Sequence, residues 1–289
     1  MDGLYYRHSG KFSVQGAATG LAAGLASGLV LAFIYSYLIL YIPFVYVNFL
    51  LTAGFGSLLG GITARFLRRG KLRNTKVALL MVIIVATASL YASWVVWIYA
   101  FIRRQGADVS LLPIASQPRL LWQLIQRVNE VGAWSFLHVT PTGPALGFVW
   151  IVEASMILGF AIWVGAGAIS EPFCESCQRW CELTEGVAVV GEGDPKELKS
   201  RMEKKDFSFP EKLGAKKPGA SSWFRLDLHS CPQCGMVNTL SIRKVRVSVD
   251  KKGKSSEKTK NVMSKLLLNA AETESLRRLS RTLAEPGSQ

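Results

Sequence analysis

Residues 147–181 have the sequence GFVWIVEASMILGFAIWVGAGAISEPFCESCQRWC. Up to Ile169 the stretch is almost entirely apolar, which is typical of a membrane-spanning helix, because a span needs about 20 such residues. Cys174, Cys177 and Cys181 follow almost at once, and cysteines that are spaced in this way often bind metals. The stretch therefore joins an apolar domain to a cysteine-containing domain.

Charge is distributed unevenly along the chain of 289 residues, whose net charge is +14. Residues 1–170 contain 12 basic and 4 acidic side chains, whereas residues 171–289 contain 22 and 16. No charged residue and no histidine occurs between Phe12 and Ala64. A long charge-free block beside a charge-dense block predicts that lipid surrounds the first part and water surrounds the second.

Four apolar stretches predict a membrane α-helical fold, a four-transmembrane-helix bundle within residues 1–170. Pro43 separates the first two helices, because proline disfavours helix at the residue before it. The loop 65–76 contains six basic residues and no acidic one, so we expect it in the cytosol with both chain termini. We expect the first span to be an uncleaved anchor. The predicted spans are 16–41, 43–65, 76–102 and 146–169, with an outer loop at 103–145 that contains an amphipathic helix from Pro118.

Glycines recur every four residues on the first two predicted helices, a pattern typical of a glycine zipper. In lipid, small residues let helix backbones approach closely. Two hypotheses follow: the helices pack within one chain, or the glycines form the seam of a homo-oligomer. A glycine-lined pore is a third. The residues concerned are Gly16, Gly20, Gly24, Gly28, Gly56 and Gly60.

Glu153 is the only acidic residue inside a predicted span. An ionisable group at that depth is costly and is by default a functional candidate. Asn48 should lie at a similar depth on the outer side and Ser93 somewhat deeper, so the three could form one membrane polar cluster. Glu153 could instead pair with Arg103 or Arg104, which would make its role structural.

Two pairs of cysteines, Cys174 with Cys177 and Cys231 with Cys234, are each separated by two residues. Four thiolates satisfy tetrahedral Zn²⁺. Through CESC and CPQCG, with strands expected at 223–228 and 240–249, the segment resembles a zinc ribbon, which implies a structural zinc.

The spacing between the two cysteine pairs departs from the usual pattern. Residues 178–230 separate the pairs, whereas about 15–20 residues are usual. We therefore predict a zinc-ribbon-like β module over 171–256, with an insertion at 182–222 that contains a short helix capped by Asp194. Cys181 and His229 are alternative ligands, and reduced thiols without metal or a redox pair remain alternatives to zinc.

The C-terminal residues 257–289 are predicted to form a helix and a frayed tail, with Leu266 and Leu276 among the apolar anchors. Lys244 and Arg246 lie on one face of a predicted strand. Clustered basic residues suit anionic lipid headgroups or the phosphates of nucleic acid. Sparse aromatic residues favour the headgroups and make nucleic acid the weaker hypothesis.

The membrane half resembles uncharacterised bacterial four-span proteins through YIPFVYVNFLLTAGFG (41–56), SWVVWIY (93–99) and LLWQLIQRVNEVGAWSF (120–136). This resemblance implies the bacterial inner membrane and supplies no activity. With no catalytic motif in the sequence, we do not expect an enzyme. The leading hypothesis is a membrane-anchored adaptor that presents a cytosolic zinc ribbon to a protein partner. The alternatives are a small channel or transporter with an outer site around Glu153, and a membrane-tethered nucleic-acid-binding module.

Overall fold

The computed structural model describes residues 3–42, 44–134, 140–249 and 255–284. The chain divides into two compact units. One unit comprises Ser9–Ser170, and the other comprises Met1–His8 together with Glu171–Gln289. Along the sequence, the helical unit therefore lies between the two parts of the second unit.

The helical unit contains four helices that are long and apolar enough to cross a membrane. Ser13 and Asn74 cap two of these helices, since their side chains accept from the backbone N–H groups of Gly16 and Val77. The sequence predicted the four helices at these places, except that Pro43, the predicted start of the second, lies outside the described residues. The four long helices are α1 (Val14–Tyr41), α2 (Val45–Arg69), α3 (Thr75–Arg104) and α6 (Gly143–Ile169).

Helices α1 and α6 each pack against both α2 and α3. The glycines of the predicted zipper lie at these contacts within the chain. A methyl group on Gly16 would come within 2.3 Å of the Gly70 carbonyl oxygen, and one on Gly60 within 2.2 Å of the Ala161 carbonyl oxygen. The backbones approach so closely that neither position has room for a side chain.

The loop between α3 and α6 contains two shorter helices, α4 (Leu111–Ser116) and α5 (Pro118–Val131). The amphipathic helix predicted from Pro118 is confirmed as α5. Leu121 and Val128 on its apolar face are buried in a cluster with Ile98 of α3. The sequence did not predict α4.

The second unit is built on a four-stranded antiparallel sheet in the order β3-β4-β5-β6, beside a small hairpin of β1 and β2. The strands expected on either side of the CPQCG segment are confirmed as β4 and β5. Asp194 caps α7 as predicted, since its carboxylate accepts from the N–H groups of Lys196 and Glu197. The elements are β1 (Phe173–Cys174), β2 (Arg179–Trp180), β3 (Glu182–Val190), α7 (Pro195–Glu203), α8 (Ser208–Leu213), β4 (Ser222–Ser230), β5 (Asn238–Val249), β6 (Ser255–Leu268) and α9 (Ala270–Ala284).

Two predictions for this unit were wrong in part. The insertion at 182–222 contains β3, an edge strand paired with β4, so part of it belongs to the sheet. The helix predicted from residue 257 begins only at Ala270, because Ser255–Leu268 pairs with β5 as β6. The polar start of β6 has no apolar alternation, and its strand conformation comes from pairing with β5. The frayed tail was predicted for residues 284–289, but Ala284 is the last residue of α9, and residues 285–289 lie outside the described residues.

An N-terminal segment, residues 3–8, lies beside β6. Tyr5 bridges to Leu266, the Tyr6 N–H donates to the Lys265 carbonyl at 2.9 Å, and the Leu267 N–H donates to the Leu4 carbonyl at 3.0 Å. The segment thus satisfies backbone groups along an otherwise unpaired edge of the sheet.

Asp227 of β4 is fully buried and is the ionic centre of the sheet. Its carboxylate accepts from the Gly186 N–H at 2.8 Å and lies 3.0 Å from Arg225 Nε and 3.2 Å from Arg243 Nε. Gly186 has φ +61°, a backbone conformation that suits glycine. The two guanidinium groups and the amide offset the cost of burying the charge.

Candidate metal centre

The turns of two separate hairpins bring the four predicted cysteines together. Cys174 ends β1 and Cys177 follows in the turn to β2, while Cys231 and Cys234 lie in the turn between β4 and β5. The four sulfurs lie within 4.8 Å of one another, and the Sγ atoms of Cys174 and Cys234 are 3.6 Å apart.

These separations fit a tetrahedral metal site. Metal–sulfur bonds of about 2.3 Å imply sulfur–sulfur edges of about 3.8 Å in a regular tetrahedron. A disulfide would bring two sulfurs to about 2.05 Å, and all four cysteines are free thiols. The arrangement is therefore that of a four-cysteine cage that could hold a metal ion.

Local backbone geometry shapes both cysteine turns. Gln178 (φ +52°) and Gly235 (φ +61°) adopt left-handed conformations directly behind the second cysteine of each pair. The Gly235 N–H donates to the Cys231 carbonyl at 3.1 Å, and the Met236 N–H points to Cys234 Sγ at 3.5 Å. A backbone N–H directed at sulfur favours the thiolate, the form that binds metal.

The electrostatics of the cage favour a bound cation. Burial opposes ionisation of Cys231, but hydrogen bonds from the backbone N–H groups of Cys234 and Gln233, together with those from the Cys234 and Cys174 thiols, outweigh it and lower the pKa of Cys231 to about 6. The hydrogen bond with Cys234 raises the pKa of Cys177 to about 12, and burial raises the pKa of Cys174. One thiol thus ionises readily, whereas the raised pKa values of its neighbours oppose their ionisation. A divalent cation would offset the repulsion among four thiolates.

The structure keeps the two alternative ligands out of this group. Among the described residues, the group that could hold a metal consists of the four cysteines of the two pairs. The Cys181 thiol is buried and directed at the Val237 carbonyl oxygen, 3.9 Å away, and burial raises its pKa to about 12. His229 also lies outside the group, and burial lowers its pKa.

Glu153, Asn48 and Ser93, the predicted polar cluster, all line one cavity of about 420 Å³ in the helical unit. The cavity lies at the end of the bundle opposite the basic loop. In the described part of the chain Glu153 makes no ion pair, because Arg103 pairs with Asp108, and Arg104 donates to the Leu40 carbonyl.

Lys244 and Arg246 differ in exposure. The Lys244 side chain is buried, with its ammonium 3.5 Å from a Glu192 carboxylate oxygen and 5.4 Å from the centre of the Phe224 ring. Arg246 is exposed. With Lys244 engaged inside the unit, the two do not form a joint surface for phosphates.

Sequence patterns did not identify some residues of these sites. Tyr6 lies beside the metal cage and Asp227 lies at the centre of the sheet, yet no local pattern marks either of them. Trp94 and Trp97 of α3 also line the cavity, but they were not among the residues predicted for the polar cluster. The two residues are three apart and therefore lie on one helix face, which is the sequence signal that could have identified them.

Comparisons of the chain with protein-family models, with curated proteins and with solved structures gave no match.

Proposed function

We propose that this protein is a membrane-anchored adaptor of the bacterial inner membrane. In this proposal the four long helices hold the chain in the bilayer, and the cysteine-containing unit is a cytosolic zinc module that binds a protein partner. The observation that carries the proposal is the four-cysteine cage, which occurs in the same chain as four helices of membrane-spanning length.

Zinc is the metal that suits the cage best. Tetrahedral sites with four thiolates hold zinc or iron, and zinc has no redox chemistry that would require access for a partner. With four protein ligands no coordination position stays open for substrate, so the metal would be structural. Such a metal stabilises a small sheet whose limited core does not supply enough stability by itself.

The fold of the two chain ends supports the proposed topology. Residues 3–8 pair with β6, so they must lie in the same compartment as the cysteine-containing unit. An even number of crossings between them is then required, and the chain offers four. The basic loop 65–76 between α2 and α3 favours the cytosol for that side, and the cytosol also keeps thiols reduced.

The turn after Cys231 is the proposed docking surface. Residues 232–236 are all exposed, and the Met236 side chain is 64% exposed. A flexible, polarisable methionine suits a protein contact because it can adapt to the partner's surface. The metal would hold this turn rigid, which lowers the entropy cost of binding.

The test is affinity purification of the full-length protein from native membranes, with metal analysis of the same sample. We compare the unchanged protein with Met236→Asp and with the control Leu183→Asp, which alters a 39% exposed leucine elsewhere in the unit. The proposal expects about one zinc per chain in all three, and a co-purifying protein that Met236→Asp alone loses. Absence of zinc contradicts the zinc module. A partner that both variants retain contradicts the docking surface.

A further inference from the structure

The cavity in the helical unit has a composition that the adaptor function does not explain. It is formed by the C-terminal ends of α1 and α3 and the N-terminal parts of α2 and α6, so it lies within one unit of the chain. Its volume of about 420 Å³ is within the range of roughly 300–1,000 Å³ that is typical of pockets for small organic molecules.

The cavity is lined by aromatic rings held at right angles. The Trp94 ring is 5.7 Å from Trp97 at an interplanar angle of 80°, and 5.1 Å from Trp150 at 87°. Phe101 stacks on Trp97 at 5.2 Å. Three of these rings are indoles, and the face of an indole ring attracts cations more strongly than any other aromatic side chain.

Glu153 adds a carboxyl group to this aromatic lining. It follows Trp150 by three residues on α6, so the carboxylate and the indole ring share one helix face. Throughout the described residues, the structure gives Glu153 no ion pair and no hydrogen bond. A carboxylate that is partly buried without a protein partner is stabilised by a cation in the adjacent space.

Among the described residues on the cavity lining, the one cationic side chain is engaged elsewhere. Arg104 donates to the Leu40 carbonyl at 3.0 Å, and its guanidinium lies 5.5 Å from the centre of the Tyr41 ring. The unpaired Asn48 side-chain oxygen, also on the lining, offers a further acceptor for a cation. Acceptors and aromatic faces therefore surround the space around Glu153.

We propose that this cavity binds a small organic cation that carries one ammonium group, with Glu153 as its counter-ion and Trp94, Trp97 and Trp150 as its aromatic cage. The ammonium belongs either to a free solute or to the headgroup of a membrane lipid. The chemistry of recognition is the same for both: charge pairing with the carboxylate and cation–π contact with the indole rings.

The test is calorimetric titration of the full-length protein in a sugar-headgroup detergent, with choline and ethylammonium as probes. The neutral control is 3,3-dimethylbutan-1-ol, which has the shape of choline without its charge. We expect at least one of the two cations to bind at millimolar concentration or below, and Glu153→Gln and Trp94→Leu each to weaken binding by at least about tenfold. Trp163→Leu is the matched control on α6, because that ring is 71% exposed and lies outside the cavity lining.

Three outcomes overturn the proposal: neither cation binds, the neutral control binds as well as the tighter-binding cation, or Glu153→Gln binds as the unchanged protein does. Thermal unfolding of each variant shows whether it is folded, and the isosteric glutamine keeps the shape of the cavity. A second arm adds phosphatidylethanolamine or phosphatidylglycerol before the titration. Competition by phosphatidylethanolamine alone identifies a lipid headgroup as the source, and absence of competition identifies a free solute.

Discussion

The Tyr6 hydroxyl group binds both backbone groups of Phe173: it accepts from the Phe173 N–H at 2.9 Å and donates to the Phe173 carbonyl at 3.2 Å. Phe173 is buried and directly precedes Cys174, the first cysteine of the cage. The N-terminal segment thus fixes the backbone of a hairpin that carries two of the four clustered cysteines, although the whole helical unit lies between them in sequence.

Removal of this hydroxyl group should loosen the metal cage. Tyr6→Phe leaves the Phe173 N–H and carbonyl without this partner in a buried position, at a cost of about 1–3 kcal/mol. We expect faster transfer of metal from the full-length protein to a chromogenic chelator. Tyr46→Phe is the control, because Tyr46 is 82% exposed. Equal transfer rates for the two variants would show that the segment does not support the cage.

Loss of the buried charge in the sheet should destabilise the cysteine-containing unit. Asp227→Asn removes the buried anion that Arg225 and Arg243 share, and breaking a buried ion pair costs about 3–5 kcal/mol. We expect the loss of stability to lie near the lower end of this range, because the two arginine side chains are 27% and 34% exposed. Hydrogen exchange of β4 and β5 amides in the full-length protein measures this.

The control for the buried charge is Glu185→Gln. Glu185 pairs with Arg225 at 3.3 Å, but its side chain is 57% exposed. A pair of this kind contributes at most about 1 kcal/mol, since water screens it. If Glu185→Gln destabilised the sheet as strongly as Asp227→Asn, the central role of Asp227 would be wrong.

Close helix packing predicts opposite responses at two glycines of α2. Gly60→Ala places a methyl group 2.2 Å from the Ala161 carbonyl oxygen, which forces α2 and α6 apart. Overpacking of this kind costs about 1–3 kcal/mol. Gly54→Ala meets no atom within 4 Å and should be neutral or stabilising by up to about 1 kcal/mol. Thermal unfolding of the two variants in detergent distinguishes them, and equal midpoints would contradict the packing.

The proposed topology places the two ends of the helical bundle in different compartments. We expect Ser110→Cys to react with a membrane-impermeant maleimide in intact cells, and Lys76→Cys to react only after permeabilisation. Both positions are exposed, so access to the reagent depends on the compartment. The reverse pattern would put the cysteine cage outside the cytosol and contradict the adaptor proposal.

Sequence patterns predicted the elements that are defined by local chemistry. Apolar runs mark the four long helices, and the two cysteine pairs mark the four sulfurs of the cage, because both signals lie within a few consecutive residues. Glu153, Asn48 and Ser93 share a cavity for a related reason: the length of a span fixes the depth of each residue.

Elements that depend on distant pairing were missed. The start of β6 is Ser255 to Lys260, a run that is exposed and without apolar alternation, and β5 alone determines its conformation. Tyr5 and Tyr6 precede the first long helix with no strand pattern, yet residues 3–8 lie beside β6. Such contacts join residues far apart in the chain, so no local window reveals them.

X-ray absorption at the zinc edge of the purified full-length protein tests the central claim most directly. The account predicts about one zinc per chain with four sulfur neighbours at about 2.3 Å. Cys174→Ser should remove the metal or replace one sulfur, whereas Cys181→Ser should leave the spectrum unchanged. A protein purified without zinc, or a zinc with nitrogen or oxygen neighbours in the unchanged chain, would contradict the four-thiolate centre.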